Sequence, residues 1–184
     1  FGTEQIIARS GYSKQGGFEI YLDGSSYGGK LWDLIWDAGQ RYDIRPGCPN
    51  LIERIEGGLM SYGNEFTRAN NPLECGLNSL CHLGDKFEYV GKAALKKIAK
   101  IGPEQMLCGV KFGGGKAPPC GQPFPITTND ELIGNVTSGI FSPRLKCNVG
   151  MSMIKSGHWK VGTEVVVHTP DGMARDGLIA KFPF

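Results

Sequence analysis

Leu132-Ile133-Gly134-Asn135-Val136-Thr137-Ser138 and, beyond Ser142-Pro143, Val149-Gly150-Met151-Ser152-Met153-Ile154 decide the fold of the second half of the chain. Both runs are short, apolar and β-branched, and glycine, proline and asparagine bound them, as they bound strands closed by turns. Working outward, 106–112, 122–126, 164–169 and 178–181 read the same way. Asn129-Asp130, Pro170 and several glycines punctuate them. Six short strands over the last eighty or so residues predict a small antiparallel β-barrel.

Upstream the pattern changes. Residues 92–100 read as a short helix closed by Gly102-Pro103, and the domain boundary is placed here, giving 1–101 and 102–184. Its four lysines are read as a solvated helix face. Asn50 stands where a cap is needed for a helix over 51–57. Leu51, Ile52 and Ile55 are its apolar positions, Glu53, Arg54 and Glu56 its polar ones, and Gly57-Gly58 ends it. Ile44-Arg45-Pro46-Gly47-Cys48-Pro49-Asn50 is a loop whose prolines fix its path. Tyr27, Leu31, Leu34, Ile35 and Ala38 recur at helical spacing over 27–38, with Ser25-Ser26 as a cap region and Gly39 as the stop. Trp32 and Trp36 share a face. Packing against a sheet is the expected role of the pair, and a ligand platform is the alternative. The chain is therefore read as α+β, a strand-and-helix part followed by the barrel.

The remaining stretch is Gly11-Tyr12-Ser13-Lys14-Gln15-Gly16-Gly17-Phe18-Glu19-Ile20-Tyr21, which follows the β-prone Ile6-Ile7-Ala8-Arg9-Ser10. It reads as a hairpin whose Gly16-Gly17 turn permits positive φ or the approach of something flat. Alternation sets Phe18 and Ile20 on one face, expected to meet the core, and Glu19 and Tyr21 on the other.

The totals exclude several functions. A net charge of +2, from 20 basic and 18 acidic residues, provides no nucleic-acid footprint. No run of about 18 apolar residues is present to span a membrane. Six scattered cysteines, without C-x-x-C pairs or histidines at zinc-ligand spacing, suggest reduced thiols, a cytoplasmic location and no metal. His82, His158 and His168 have no recognisable catalytic partner, and Gly113-Gly114-Gly115-Lys116 lacks the spacing of a phosphate loop. Phe1-Gly2-Thr3 leads almost at once into a strand, so the chain is expected to be the C-terminal part of a longer protein.

Several blocks resemble the aminomethyltransferase (glycine-cleavage T-protein) family. Gly11–Glu19 is similar to its Gly-Tyr-Thr-Gly-Glu-x-Gly-x-Glu signature. Ile55-Glu56-Gly57-Gly58-Leu59-Met60-Ser61-Tyr62-Gly63-Asn64, Asn71-Pro72-Leu73-Glu74-Cys75-Gly76-Leu77 and Phe87-Glu88-Tyr89-Val90-Gly91-Lys92 follow in the family's order. In the barrel half, Gly134–Gly139, Ser142–Met151 and the closing Lys181-Phe182-Pro183-Phe184 match it again. The resemblance implies that 1–101 is the C-terminal portion of a folate-binding α/β domain and 102–184 the family's C-terminal barrel. It implies tetrahydrofolate as cofactor, with Glu19 holding the pterin and the acidic residue near N5 in a missing N-terminal half. Catalytic residues are therefore not assigned. A carboxylate can accept the adjacent N–H and amino groups of a pterin edge as it does those of an arginine fork.

Departures from the T-protein pattern point to the donor. Pro49, Asn50 and Leu51 stand where T-proteins carry Ala-Arg-Asp, so neutral Asn50 replaces a ligand-site arginine; Ser13-Lys14-Gln15 also departs. Ala8–Tyr21 together with Arg45–Asn50 resembles the dimethylsulfoniopropionate demethylase branch of the family. That branch moves a methyl group from a sulfonium to tetrahydrofolate. Tyr12 and Tyr21 are then expected to line the pocket beside Glu19, with Asn50 as a polar contact and Tyr62 a lesser candidate. The partners implied are folate, a small methyl donor and the N-terminal half.

Overall fold

The computed structural model describes residues 2, 4–12, 14–48, 50–84 and 86–184. The sequence readings of Phe1, Thr3, Ser13 and Pro49 lie outside the described residues. Strands β1 (Ile6–Ala8) and β2 (Glu19–Tyr21) form an antiparallel pair in which Ala8 faces Glu19 and Ile6 faces Tyr21. A single 3-10 turn, Ser25–Tyr27, leads into helix α1 (Gly28–Gly39). Ser25 and Ser26 lie within that turn and no side chain caps it, so the expected serine cap is not formed. Helix α2 (Leu51–Glu56) is capped as read: Asn50 Oδ1 accepts the Glu53 N–H at 2.9 Å. Helix α3 (Lys92–Ile101) ends at Gly102.

Beyond α3 all six expected strands are present. β3 (Gln105–Phe112), β4 (Phe124–Thr128), β5 (Glu131–Ser142), β6 (Cys147–Lys155), β7 (Glu164–His168) and β8 (Ala174–Ala180) close an antiparallel barrel in the order β3-β6-β5-β4-β7-β8. The α+β reading with a terminal barrel therefore holds. Val110, Phe112, Ile126, Val136, Ile154, Val167 and Ile179 fill the interior, each 2% exposed or less. Gly150 is required on that inner face, because a Cβ there would fall 2.6 Å from Val136 Cγ1.

β6 is covered on both sides, which is why its sequence reads as an unbroken apolar run. Its outward Val149 and Met151, with Leu107 of β3, pack against Ile55 of α2, which is fully buried. Helix α2 is thus the element that joins the first half of the chain to the barrel. Two of its positions read as polar face turn toward that junction. Arg54 is buried, and the Glu56 carboxylate accepts from Ser142 of β5 and from Arg144 Nε at 2.7 Å.

Burial works to raise the Glu56 pKa, but hydrogen bonds from Ser142 and Arg144 outweigh it and hold the carboxyl below its ordinary 4.5. A depressed folded-state pKa stabilises the fold above the ordinary value and loses that contribution as pH falls through the folded one. Glu56→Gln is therefore expected to cost about 1.5–3 kcal/mol at neutral pH, typical of hydrogen bonds to a charged group. In urea melts compared across pH, the gap between variant and wild type should close in acid and stay constant above pH 4.5.

Lys92 corrects the solvated-face reading of α3. Its side chain is 2% exposed, and Nζ donates to Phe87 O at 2.6 Å and to Glu88 Oε1 at 3.2 Å. The ammonium also lies 5.7 Å and 5.9 Å from the Phe87 and Tyr89 ring centroids, within cation–π range. Lys96, Lys97 and Lys100 are exposed, as expected.

Candidate functional site

The β1–β2 hairpin lies over α2. Between its strands Gly16 and Gly17 take φ values of 73° and 151°, the conformation for which the glycine pair was singled out. Arg9, Ser10, Gly11, Lys14, Gly16 and Gly17 border an open hollow of about 240 Å³. Glu19 stands on β2 with its carboxylate exposed and accepts one hydrogen bond, from the Ser10 hydroxyl. Tyr21 shares its face by alternation and is 56% exposed. Phe18, expected to meet the core, is 69% exposed, and Ile20 is half-buried.

The hairpin is fastened by Tyr12. Its hydroxyl donates to Met60 O at 2.7 Å and lies 3.3 Å from Leu59 O, just beyond the end of α2. Gln15 Nε2 adds a bond to Glu53 Oε1 at 3.3 Å. Tyr12 and Asn50 thus meet opposite ends of the same helix. The oxygen of Asn50 is engaged in the cap, which leaves its amide NH₂ as the group to offer a ligand. Tyr62 is exposed and meets Phe66 edge-on at 5.6 Å. Arg45 pairs with Asp43 at 2.9 Å, both side chains in solvent.

Trp32 and Trp36 do not pack against a sheet. They stack on each other, centroids 6.4 Å apart and planes within 8°. With Ile35, Ile44, Arg45, Pro46 and Gly47 they border a cavity of about 120 Å³. No residue of α1 is buried, and its Trp32, Leu34 and Ile35 are exposed apolar side chains.

Beneath the hairpin lies a group of polar residues that sequence reasoning missed. Arg54 Nη2 donates to Glu65 Oε2 at 3.0 Å and to Ser138 Oγ at 2.8 Å, and the Ser138 hydroxyl donates to Glu65. The Glu65 carboxylate also accepts the Ser61 N–H at 2.6 Å, and the Thr137 hydroxyl, which donates to Met151 O at 3.0 Å, lies 3.4 Å from it. The pair's side chains are 8% and 0% exposed. The resemblance to the family run 55–64 passed beside this cluster without indicating it.

Burial pushes the thiols of Cys75, Cys108 and Cys120 up, Cys108 to about 11, which disfavours a thiolate nucleophile at neutral pH. His168 Nε2 is hydrogen-bonded to Thr127 Oγ1 at 2.8 Å. Among the described residues no three His, Cys, Asp or Glu side chains group as metal ligands, and no helix is long and apolar enough to cross a membrane. Glu19 and Tyr21 present an exposed carboxylate and a phenol on one strand face, and neither is among the residues that border the hollow at the glycine turn. A carboxylate so exposed can accept two adjacent N–H donors.

Comparison with known proteins finds matches along both halves of the chain. The GCVT N-terminal domain family matches residues 1–85, and the glycine cleavage T-protein C-terminal barrel domain family matches residues 106–184. The chain is 47% identical over 172 residues to dimethylsulfoniopropionate demethylase DmdA of Ruegeria pomeroyi, covering 94% of this chain and 46% of that protein. It is 36% identical over 169 residues to an aminomethyltransferase of Caldanaerobacter subterraneus, covering 90% and 44%. The crystal structure of the glycine cleavage system aminomethyltransferase T from Bartonella henselae superposes with a TM-score of 0.72 at 24% identity, over 96% of this chain and 48% of that one. The chain thus spans about half the length of these relatives. With both domain families matched in order, and the barrel closed as theirs is named, the chain belongs to the glycine cleavage T-protein family.

Proposed function

We propose that residues 1–101 are the C-terminal portion of a tetrahydrofolate-binding domain and 102–184 its C-terminal barrel. The longer, cytoplasmic polypeptide that carries them would transfer a methyl group from dimethylsulfoniopropionate to N5 of tetrahydrofolate. The observation that carries the reading is the exposed Glu19 carboxylate on the face it shares with Tyr21, in a chain 47% identical to a dimethylsulfoniopropionate demethylase. The unpartnered apolar faces of α1 and the hairpin, with Ile6, Ile7, Phe18 and Trp32 all exposed, support a site completed by further polypeptide. Burying them there would supply the hydrophobic contact that these elements lack here.

In this reading Glu19 accepts the N–H and amino group of the pterin edge and so fixes the ring's rotation. The Tyr21 ring and the flank of Tyr12 line the pocket, and the Asn50 amide offers a donor from the start of α2. Bound tetrahydrofolate supplies the nucleophilic nitrogen that takes up the methyl group. The S–CH₃ bond breaks as N5–CH₃ forms, the sulfonium leaves as a neutral thioether that no side chain has to protonate, and the proton displaced from N5 passes to solvent. The protein's part is to place donor and acceptor in line and to exclude water. Exposed aromatic faces such as Tyr21 can hold the sulfonium charge by cation–π attraction.

The relatives named as aminomethyltransferases set the rival donor. The full-length polypeptide, supplied with tetrahydrofolate and either dimethylsulfoniopropionate or an aminomethyl donor, is expected to form 5-methyltetrahydrofolate and the thioether from the first alone. Turnover only with the aminomethyl donor would overturn the sulfonium assignment. Steady turnover by the isolated 184 residues would overturn the need for a second half.

A further inference from the structure

Two features that the folate reading leaves unexplained meet at one atom. The Leu59 carbonyl lies 3.3 Å from the Tyr12 hydroxyl and 3.4 Å from Arg54 Nη1. On the Tyr12 side is the hairpin that carries Glu19. On the Arg54 side the guanidinium is bound to Glu65 and to Ser138 of β5, inside the junction with the barrel. Glu65 completes the loop by accepting the Ser61 N–H, so residues 59–61 are gripped from below by the barrel cluster and from above by Tyr12.

We propose that Tyr12 is a positioning residue. Through residues 59–61 and the Arg54–Glu65–Ser138 cluster, it couples the Glu19 hairpin to the barrel, so that the seating of the barrel fixes where the carboxylate stands. This rests on the folate reading only for its consequence, since the coupling is a property of the chain itself. Among the described residues a second tie runs from the hairpin to α2, Gln15 Nε2 to Glu53 Oε1 at 3.3 Å. The hairpin is two strands of three residues each, and its apolar side chains are largely exposed. A two-stranded hairpin of that size is not stable alone in water. The Tyr12 hydroxyl forms a bond that links it directly to residues 59–61. The Arg54 cluster is fully satisfied and buried, which makes it a rigid base for that contact. Coupling of this kind is reciprocal, so a ligand held at Glu19 also steadies residues 59–61.

The test is amide hydrogen exchange, read by mass spectrometry on the full-length polypeptide, with Tyr12→Phe and Ser138→Ala. Tyr12→Phe keeps the ring and removes only the hydroxyl. It is expected to speed exchange across residues 6–21 by about 10-fold, the effect of one lost hydrogen bond, and to leave barrel strands β5 and β6 unchanged. Ser138→Ala, which touches the hairpin nowhere, is expected to speed exchange in 59–61 and again in 6–21, and Ser138→Thr to restore both. Unchanged hairpin exchange in Tyr12→Phe overturns the proposal, as does a Ser138→Ala effect that stops at residue 61. Tetrahydrofolate affinity and kcat, measured on Ser138→Ala, separate the two readings. Weaker affinity with unchanged kcat at saturation supports the coupling together with the folate site. Faster hairpin exchange with unchanged affinity upholds the coupling and tells against Glu19 as the pterin contact.

Discussion

Replacing Glu65 by alanine is expected to destabilise the chain by about 3–5 kcal/mol, the cost of stranding one member of a buried ion pair. The side chain is 0% exposed and accepts hydrogen bonds from Arg54, Ser61 and Ser138. Its loss leaves the Arg54 guanidinium 8% exposed with no counter-charge and opens a void between α2 and β5. Glu65→Gln, which keeps volume and one acceptor, should cost less than alanine but still register. Urea unfolding of the three proteins measures this. A change below about 1 kcal/mol, as for a solvated pair, would show that water reaches the cluster.

The barrel was legible because its signals are local. Short apolar runs end at glycine, proline or Asn-Asp, and each of the six is a strand. Two boundaries are misjudged by about four residues: β8 begins at Ala174 rather than Leu178, and β5 runs to Ser142 rather than Ser138, the second with a visible cause. The register with β6 shifts between Val136 and Ser138, so the alternation that marks a continuous strand breaks there. The Asn50 cap was legible for the same local reason, being set by three residues of spacing. Arg54 and Lys92 were not. Arg54 lies 84 residues from Ser138 in sequence, and a charge on a helix looks solvated until its distant partner is known. Phe18 and Trp32 failed in the opposite sense. Alternation and helical spacing define a face, but not whether anything covers it. At the site, the shared face of Glu19 and Tyr21 followed from strand period alone, whereas the acceptor of the Tyr12 hydroxyl, 48 residues away, had no sequence signal.

The second large effect is at Glu19. In the full-length polypeptide, Glu19→Ala is expected to weaken tetrahydrofolate by about 2–3 kcal/mol, roughly 30- to 150-fold in Kd, because two hydrogen bonds to a charged acceptor go together. Glu19→Gln should fall between. It keeps one acceptor oxygen but turns an NH₂ toward a pterin donor, setting donor against donor. Stability should hold within about 0.5 kcal/mol in both, since the carboxylate is exposed and its partner is the surface hydroxyl of Ser10. Loss of affinity without loss of stability is what separates a ligand contact from a structural one.

Calorimetric titration of tetrahydrofolate into the full-length wild type and Glu19→Ala decides whether this hairpin is a pterin site. The expected result is tight binding by the wild type and a Kd roughly 30- to 150-fold higher in the variant, with matched unfolding curves. Equal affinity in the two proteins would contradict it and place the folate elsewhere.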